Sequence, residues 1–171
     1  MKKYILFSLL AFTTATYGIA QKYAFVDTEY ILNNIPSYKA AQDQLDQFSA
    51  TWEKEVKARF DEVGKLYKSF QNDAVLLTQE MKKKREDEIV SKEKAAKDLQ
   101  NKYFGPEGSL FQKRQELVKP IQDEIYNAVK DLAVSGNYAV IFDTAGSVSM
   151  LYTNPRYDLS DDVLEKLGYK N

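Results

Sequence analysis

Two short stretches of this chain end alike. "YAFVDT" at residues 23–28 and "YAVIFDT" at 138–144 set Asp27 and Asp143 at comparable positions, each closing a β-type run. Two carboxylates brought together at strand ends could share a proton and act as an acid/base pair. That chemistry needs a larger β scaffold to bury and couple them. The plainer role, which the sequence favours, is that each aspartate ends its strand and that Asp27 also caps a helix through Tyr30, Ile31 and Leu32. The 171 residues hold no His and no Cys. The commonest metal ligands, the usual base near neutral pH and the thiol nucleophile are all missing. Gly105-x-x-Gly108-Ser109 lacks the Gly-Lys-Ser/Thr of a phosphate loop and reads as a helix break. No catalytic residue, cofactor or metal is therefore expected, and the chain is not expected to be an enzyme.

A different chemistry, that of contact, is written in "QNDAVLLTQEMKKKREDE", residues 71–88. The apolar Val75, Leu76 and Leu77 are followed by Met81 and by four consecutive bases, Lys82, Lys83, Lys84 and Arg85. The whole chain is almost balanced, with 24 basic and 25 acidic residues. The charge is unevenly spread: residues 65–86 carry six basic and three acidic side chains, while both flanks are net acidic. No global basic field for nucleic acid exists, so a nucleic-acid partner is not expected.

These residues must be positioned by helices. Between Ser37 and Asn72, the residues Ala41, Leu45, Phe48, Trp52, Val56, Phe60, Val63, Tyr67 and Phe70 recur in steps of three and four, predicting one apolar stripe. The mean step is near the coiled-coil value, so the stripe is expected to face another helix. A thinner stripe follows through Met81, Ile89, Lys92, Ala96, Leu99 and Tyr103. A third runs through Leu110, Leu117, Ile121, Ile125, Ala128 and Leu132, with Pro120 expected to kink it. The chain could reverse at Gly105–Ser109 or near residue 75. Only the second covers both stripes: it pairs 37–72 with 78–113, a hairpin about 54 Å long by the standard helical rise. Asn72-Asp73 then stops one helix, and Thr78 caps the next.

The β signal is small and split between the ends. "KYAFVD" (22–27) predicts one strand, and "NYAVIFD" (137–143) with "VSMLYTN" (148–154) predicts a hairpin. "DLSDDVLEKLGYK" predicts a terminal helix with Ser160 as its cap, Leu159 stapled to Leu164 and Gly168 at its end. Runs such as Ala139-Val140-Ile141-Phe142 need cover on both faces, so strands of several copies are expected to pack together. At the other end, "MKKYILFSLLAFTTATYGIAQK" has the basic start, short apolar run and small-residue exit of a signal peptide cleaved after Ala20. The expected regions are a signal peptide at 1–20, a body strand and helix start at 21–36, a helical hairpin arm at 37–113 with its tip near 72–78, and a body at 114–171. No other apolar run has membrane length, so any membrane contact is expected to be peripheral.

In this order of elements, the chain resembles the Skp (OmpH-like) family of periplasmic chaperones. The likeness is carried by the signal peptide, "YAFVDTEYIL", the long amphipathic hairpin, "NYAVIFDTAGSV" and "DLSDDVLEKLG", and its element order spans the whole mature chain. It implies an α+β fold: a jellyfish-like homotrimer with a coiled-coil-like α-helical hairpin arm on a small β body built by oligomerisation. It also implies an ATP-independent holdase of the periplasm that binds unfolded outer-membrane β-barrel proteins in a cavity between the arms. In such a molecule Val75, Leu76, Leu77, Met81 and Lys82–Arg85 form a client-facing tip, and Phe25, Val26, Val140, Ile141 and Phe142 build the oligomer body. The alternative for the tip is a small closed apolar cluster beside a solvated basic face paired with Glu86 and Glu88. The alternative for the molecule is a non-catalytic structural coiled-coil protein of the envelope. The chain is mildly acidic where the resemblance leads one to expect a strongly basic protein, and no lipopolysaccharide site is carried over.

Overall fold

The computed structural model describes residues 21–146 and 150–169, so the expected signal peptide lies outside the described residues. Contacts divide the chain into two units. One joins the residues up to Ile31 with those from Ala128 onward; the other is Leu32–Asn127.

The second unit is a helical hairpin. After a short helix α1 (Thr28–Asn33), helix α2 runs from Pro36 to Asp73, with proline in its first turn, where a missing N–H costs nothing. The chain turns over residues 74–78 and returns as α3 (Gln79–Phe104). Thr78 caps α3, its Oγ1 accepting from the Met81 N–H at 3.3 Å. The two helices are antiparallel: Glu62 meets Lys92 at 2.8 Å, while Glu55, seven residues earlier, accepts from Tyr103, eleven residues later. Ala41, Leu45 and Val56 on α2 and Ile89 and Ala96 on α3 are buried, all of them stripe positions. Trp52 stacks flat on Tyr103, with centroids 4.9 Å apart and planes 6° apart. Lys92, counted in the second stripe by its spacing, reaches out to Glu62 as an ion pair.

Gly105 and Gly108 make a tight turn, and α4 runs unbroken from Ser109 to Gly136 through Pro120. Proline lacks an N–H, so the carbonyl four residues earlier goes without its helical partner there. Asn137, at φ 54°, turns the chain out of α4, asparagine being one of the few side chains that accept the left-handed region.

The first unit holds a two-stranded sheet. β1 (Lys22–Val26) and β2 (Tyr138–Asp143) pair in parallel, with Phe25 opposite Phe142 and Val26 opposite Asp143. The expected hairpin is corrected here. β2 takes β1 as its partner across the whole helical segment, and residues 150–154 form no strand; 148 and 149 lie outside the described residues. Leu151 and Tyr152 have strand-forming side chains, yet both stand exposed, outside the one strand pair among the described residues.

The terminal helix α5 (Ser160–Lys166) starts beside the end of β1, where the Leu159 N–H donates to the Phe25 carbonyl at 2.9 Å. Ala24, Val26, Ile31, Leu159, Val163 and Leu164 are all buried and make this unit's core, each large aliphatic contributing about 1.5–3 kcal/mol. Ser160 is corrected too: it is the first helical residue, not the cap of its own helix. Its Oγ donates to Asp158 Oδ1 at 2.6 Å and accepts from the Asp27 N–H at 2.8 Å, tying the end of β1 to the start of α5. Gly168, at φ 82°, closes α5: the Tyr169 N–H reaches the Leu164 carbonyl at 2.9 Å, a left-handed helix stop that suits glycine.

Candidate functional site

The carboxylates that end the strands are engaged in local structure. Asp27 Oδ1 accepts from the Tyr30 N–H at 2.9 Å and so caps α1. Asp143 accepts from Thr28 Oγ1 at 2.7 Å, the Thr28 N–H at 3.2 Å and the Ala145 N–H at 3.0 Å. Partial burial pushes the Asp143 carboxyl upward, but the Thr28 hydroxyl and the two amides outweigh it and hold the group below its ordinary range. Each carboxylate is thus a cap, and no hydrogen bond joins the two.

At the hairpin turn, Val75 is 92% exposed and Leu76 85%. The Leu76 N–H donates to the Asp73 carbonyl at 2.8 Å, which fixes the backbone but leaves the side chains pointing at solvent. Leu77 is half-buried, and Met81 is exposed. Lys83 and Lys84 are exposed; Lys82 and Arg85 are half-buried. Elsewhere on these helices, bases pair along their own helix, as in Lys57–Asp61, Lys94–Asp98, Lys97–Glu93 and Lys119–Asp123. Lys82, Lys83, Lys84 and Arg85 form no ion pair among the described residues, although Glu86 and Glu88 are within helical reach. The turn is open at Val75 and Leu76 while Leu77 is half-buried, and the bases are solvated, as the closed-tip alternative has them, but without its ion pairs among the described residues.

Farther along the hairpin, Phe60, Val63, Gly64, Tyr67 and Phe70 of α2 and Glu86, Ile89, Val90 and Glu93 of α3 line a groove of about 450 Å³. The sequence marked Phe60, Val63, Tyr67 and Phe70 only as stripe. The groove's one visible sign was a glycine inside a helical run.

In the sheet unit, β2 is uncovered. Val140 and Phe142 are 46% and 43% exposed, while Phe25 and Ile141 are half-buried. Phe25 stacks on Phe142 at 5.9 Å, and Tyr23 lies 5.7 Å from Tyr157, so one sheet face is an open aromatic surface. Val26 is covered by the chain itself.

Among the described residues, no group of three or more acidic side chains converges as a metal site would require, and no helix is long and apolar enough to cross a membrane.

A family model described as "Outer membrane protein (OmpH-like)" matches residues 22–167. No curated protein matches the chain. Among solved structures, the chain is similar to a candidate outer membrane chaperone (OmpH-like) from Caulobacter crescentus, with a TM-score of 0.65 and 14% identity over 90% of this chain and 88% of that one. At that identity, the likeness shows the fold.

Proposed function

The chain belongs to the OmpH-like family of outer membrane proteins, and from that premise we propose that it is a chaperone, an ATP-independent holdase that keeps unfolded outer-membrane β-barrel proteins from aggregating in the periplasm. The observation that carries this reading is the hairpin turn, where bare Val75 and Leu76 stand beside four bases without ion-pair partners. A folded protein gains nothing for its own stability by exposing aliphatic side chains at a turn. A holdase gains weak, adaptable contacts that an unfolded chain can make and break without nucleotide. Unpaired bases add attraction for acidic client segments. The uncovered β2 supports assembly of several copies, with a homotrimer as the proposed state and Phe25, Val140, Ile141 and Phe142 in its body. The same reading assigns the chain no catalysis and no cofactor.

The test is dilution of a urea-unfolded outer-membrane β-barrel protein into buffer containing the purified protein and no nucleotide, followed by light scattering. Suppressed aggregation at a near-stoichiometric ratio is expected. Unchanged scattering, with the protein itself folded, would leave a passive coiled-coil spacer of the envelope as the better account.

A further inference from the structure

Gly64 lies deep inside α2, where glycine is the poorest helix former after proline. A glycine is usually kept in such a place because a neighbouring backbone or side chain approaches closely. Here a Cβ added at Gly64 would meet nothing within 4 Å. No neighbour among the described residues needs the space, yet the space is lined: Phe60, Val63, Tyr67 and Phe70 from α2, and Glu86, Ile89, Val90 and Glu93 from α3. Tyr67 and Val90 are 53% and 63% exposed, so part of this apolar lining is open to water.

We propose that the Gly64 notch is a side-chain pocket for an extended segment of unfolded polypeptide, one that presents an aromatic or branched apolar residue with a lysine or arginine close by. The inference rests on the holdase reading and gives it a specific binding site. Size argues for this occupant. About 450 Å³ lies at the small end of ligand pockets, which span about 300–1,000 Å³, and suits one or two side chains better than a folded partner. Charge argues for the basic neighbour. Glu93 is held by Lys97 at 2.6 Å, whereas Glu86 has no ion-pair partner among the described residues. Strands of outer-membrane barrels alternate apolar and polar residues and carry aromatic girdles, so each offers single aromatic side chains on one edge of an extended chain. The pocket reads one such side chain and leaves the rest of the client to weaker contacts.

The experiment uses a fluorescently labelled peptide that alternates phenylalanine or tyrosine with serine and carries one lysine, titrated with the full protein and followed by anisotropy. Gly64→Leu fills the notch and improves helix propensity, so its thermal midpoint should hold or rise while peptide affinity falls by about tenfold or more, the scale of a lost hydrophobic anchor. Glu86→Gln should weaken the lysine peptide but not its serine counterpart. Equal binding by wild type and Gly64→Leu would overturn the pocket. A change of oligomeric mass in Gly64→Leu would overturn it as well, by showing that the notch seats a second copy. If Gly64→Leu binds the peptide like wild type and both protect the unfolded barrel protein, the pocket fails and the holdase reading stands. If wild type binds no peptide and protects no client, both fail.

Discussion

Asp143 shows what a single residue does in the small sheet unit. Its carboxylate collects three hydrogen bonds at the end of β2, two of them from Thr28, at the start of α1. Burial opposes the charge, but the Thr28 hydroxyl and the two amides prevail, so the native carboxyl titrates below its unfolded value. The sign follows from that depression: the stabilisation is fully present above the unfolded carboxylate range and is lost as pH falls through the native value. Asp143→Ala should therefore cost about 1 kcal/mol at neutral pH, the usual worth of a cap on a partly exposed site. Urea titrations at several pH values are expected to show the gap between wild type and variant closing in acid. A pH-independent gap would mean that packing, not the carboxylate, is responsible. The sequence placed Asp27 as a cap correctly, because an aspartate three residues before a helical N–H is a local pattern. The Thr28–Asp143 bonds and the Ser160 tie to Asp27 were not visible in it, since they join residues 115 and 133 positions apart. Nothing local specifies such a partner.

At the scale of elements, the hairpin was the most legible part, and for a physical reason. A helix buries what its own period brings to one side, so Ala41, Leu45, Val56, Ile89 and Ala96 could be read as core from spacing alone. The same spacing overstated the distal stripe. Phe60, Val63 and Phe70 are only half-buried and Tyr67 is exposed, because α3 offers them few large apolar partners and Gly64 leaves a gap between them. The failure in the β region has the same root in reverse: "VSMLYTN" has strand-forming side chains, but a strand exists only beside a partner, and the described residues form just one pair. The bases after the turn are a prediction of this scale, because four neighbouring charges act as one patch. Changing Lys82, Lys83, Lys84 and Arg85 together to Gln removes no ion pair and should leave helix stability nearly untouched. Client capture should weaken clearly at low ionic strength and little at high salt, where the Debye length shrinks to about 3 Å near 1 M. Aggregation assays across a salt series check this. A loss that is equal at all salt concentrations would point to a damaged hairpin.

For the whole molecule, the decisive fact is an imbalance in the sheet unit. β1 has one covered face, with Ala24 and Val26 buried. β2 keeps a near-continuous apolar run, yet Val140 and Phe142 stay close to half exposed, and Leu151 and Tyr152 stand fully or largely open nearby in sequence. Parallel strands in water need cover on both faces and a blocked edge, or they invite further strands. The two strands, the first turn of α1, the end of α4 and the seven-residue α5 leave this run uncovered within one chain. A second and third copy would supply both, and the residues that look misplaced in one chain would become the core of the assembly. The expectation is that light scattering at micromolar concentration gives a mass of three chains. Val140→Glu with Phe142→Glu should shift it to a smaller species. In that variant, the helical signal from the hairpin should largely survive, since Ala41, Leu45, Val56, Ile89 and Ala96 are buried within one chain. A wild-type monomer, folded and stable at that concentration, would refute assembly through β2. The exposed aromatic face of Tyr23, Phe25, Phe142 and Tyr157 would then need another partner.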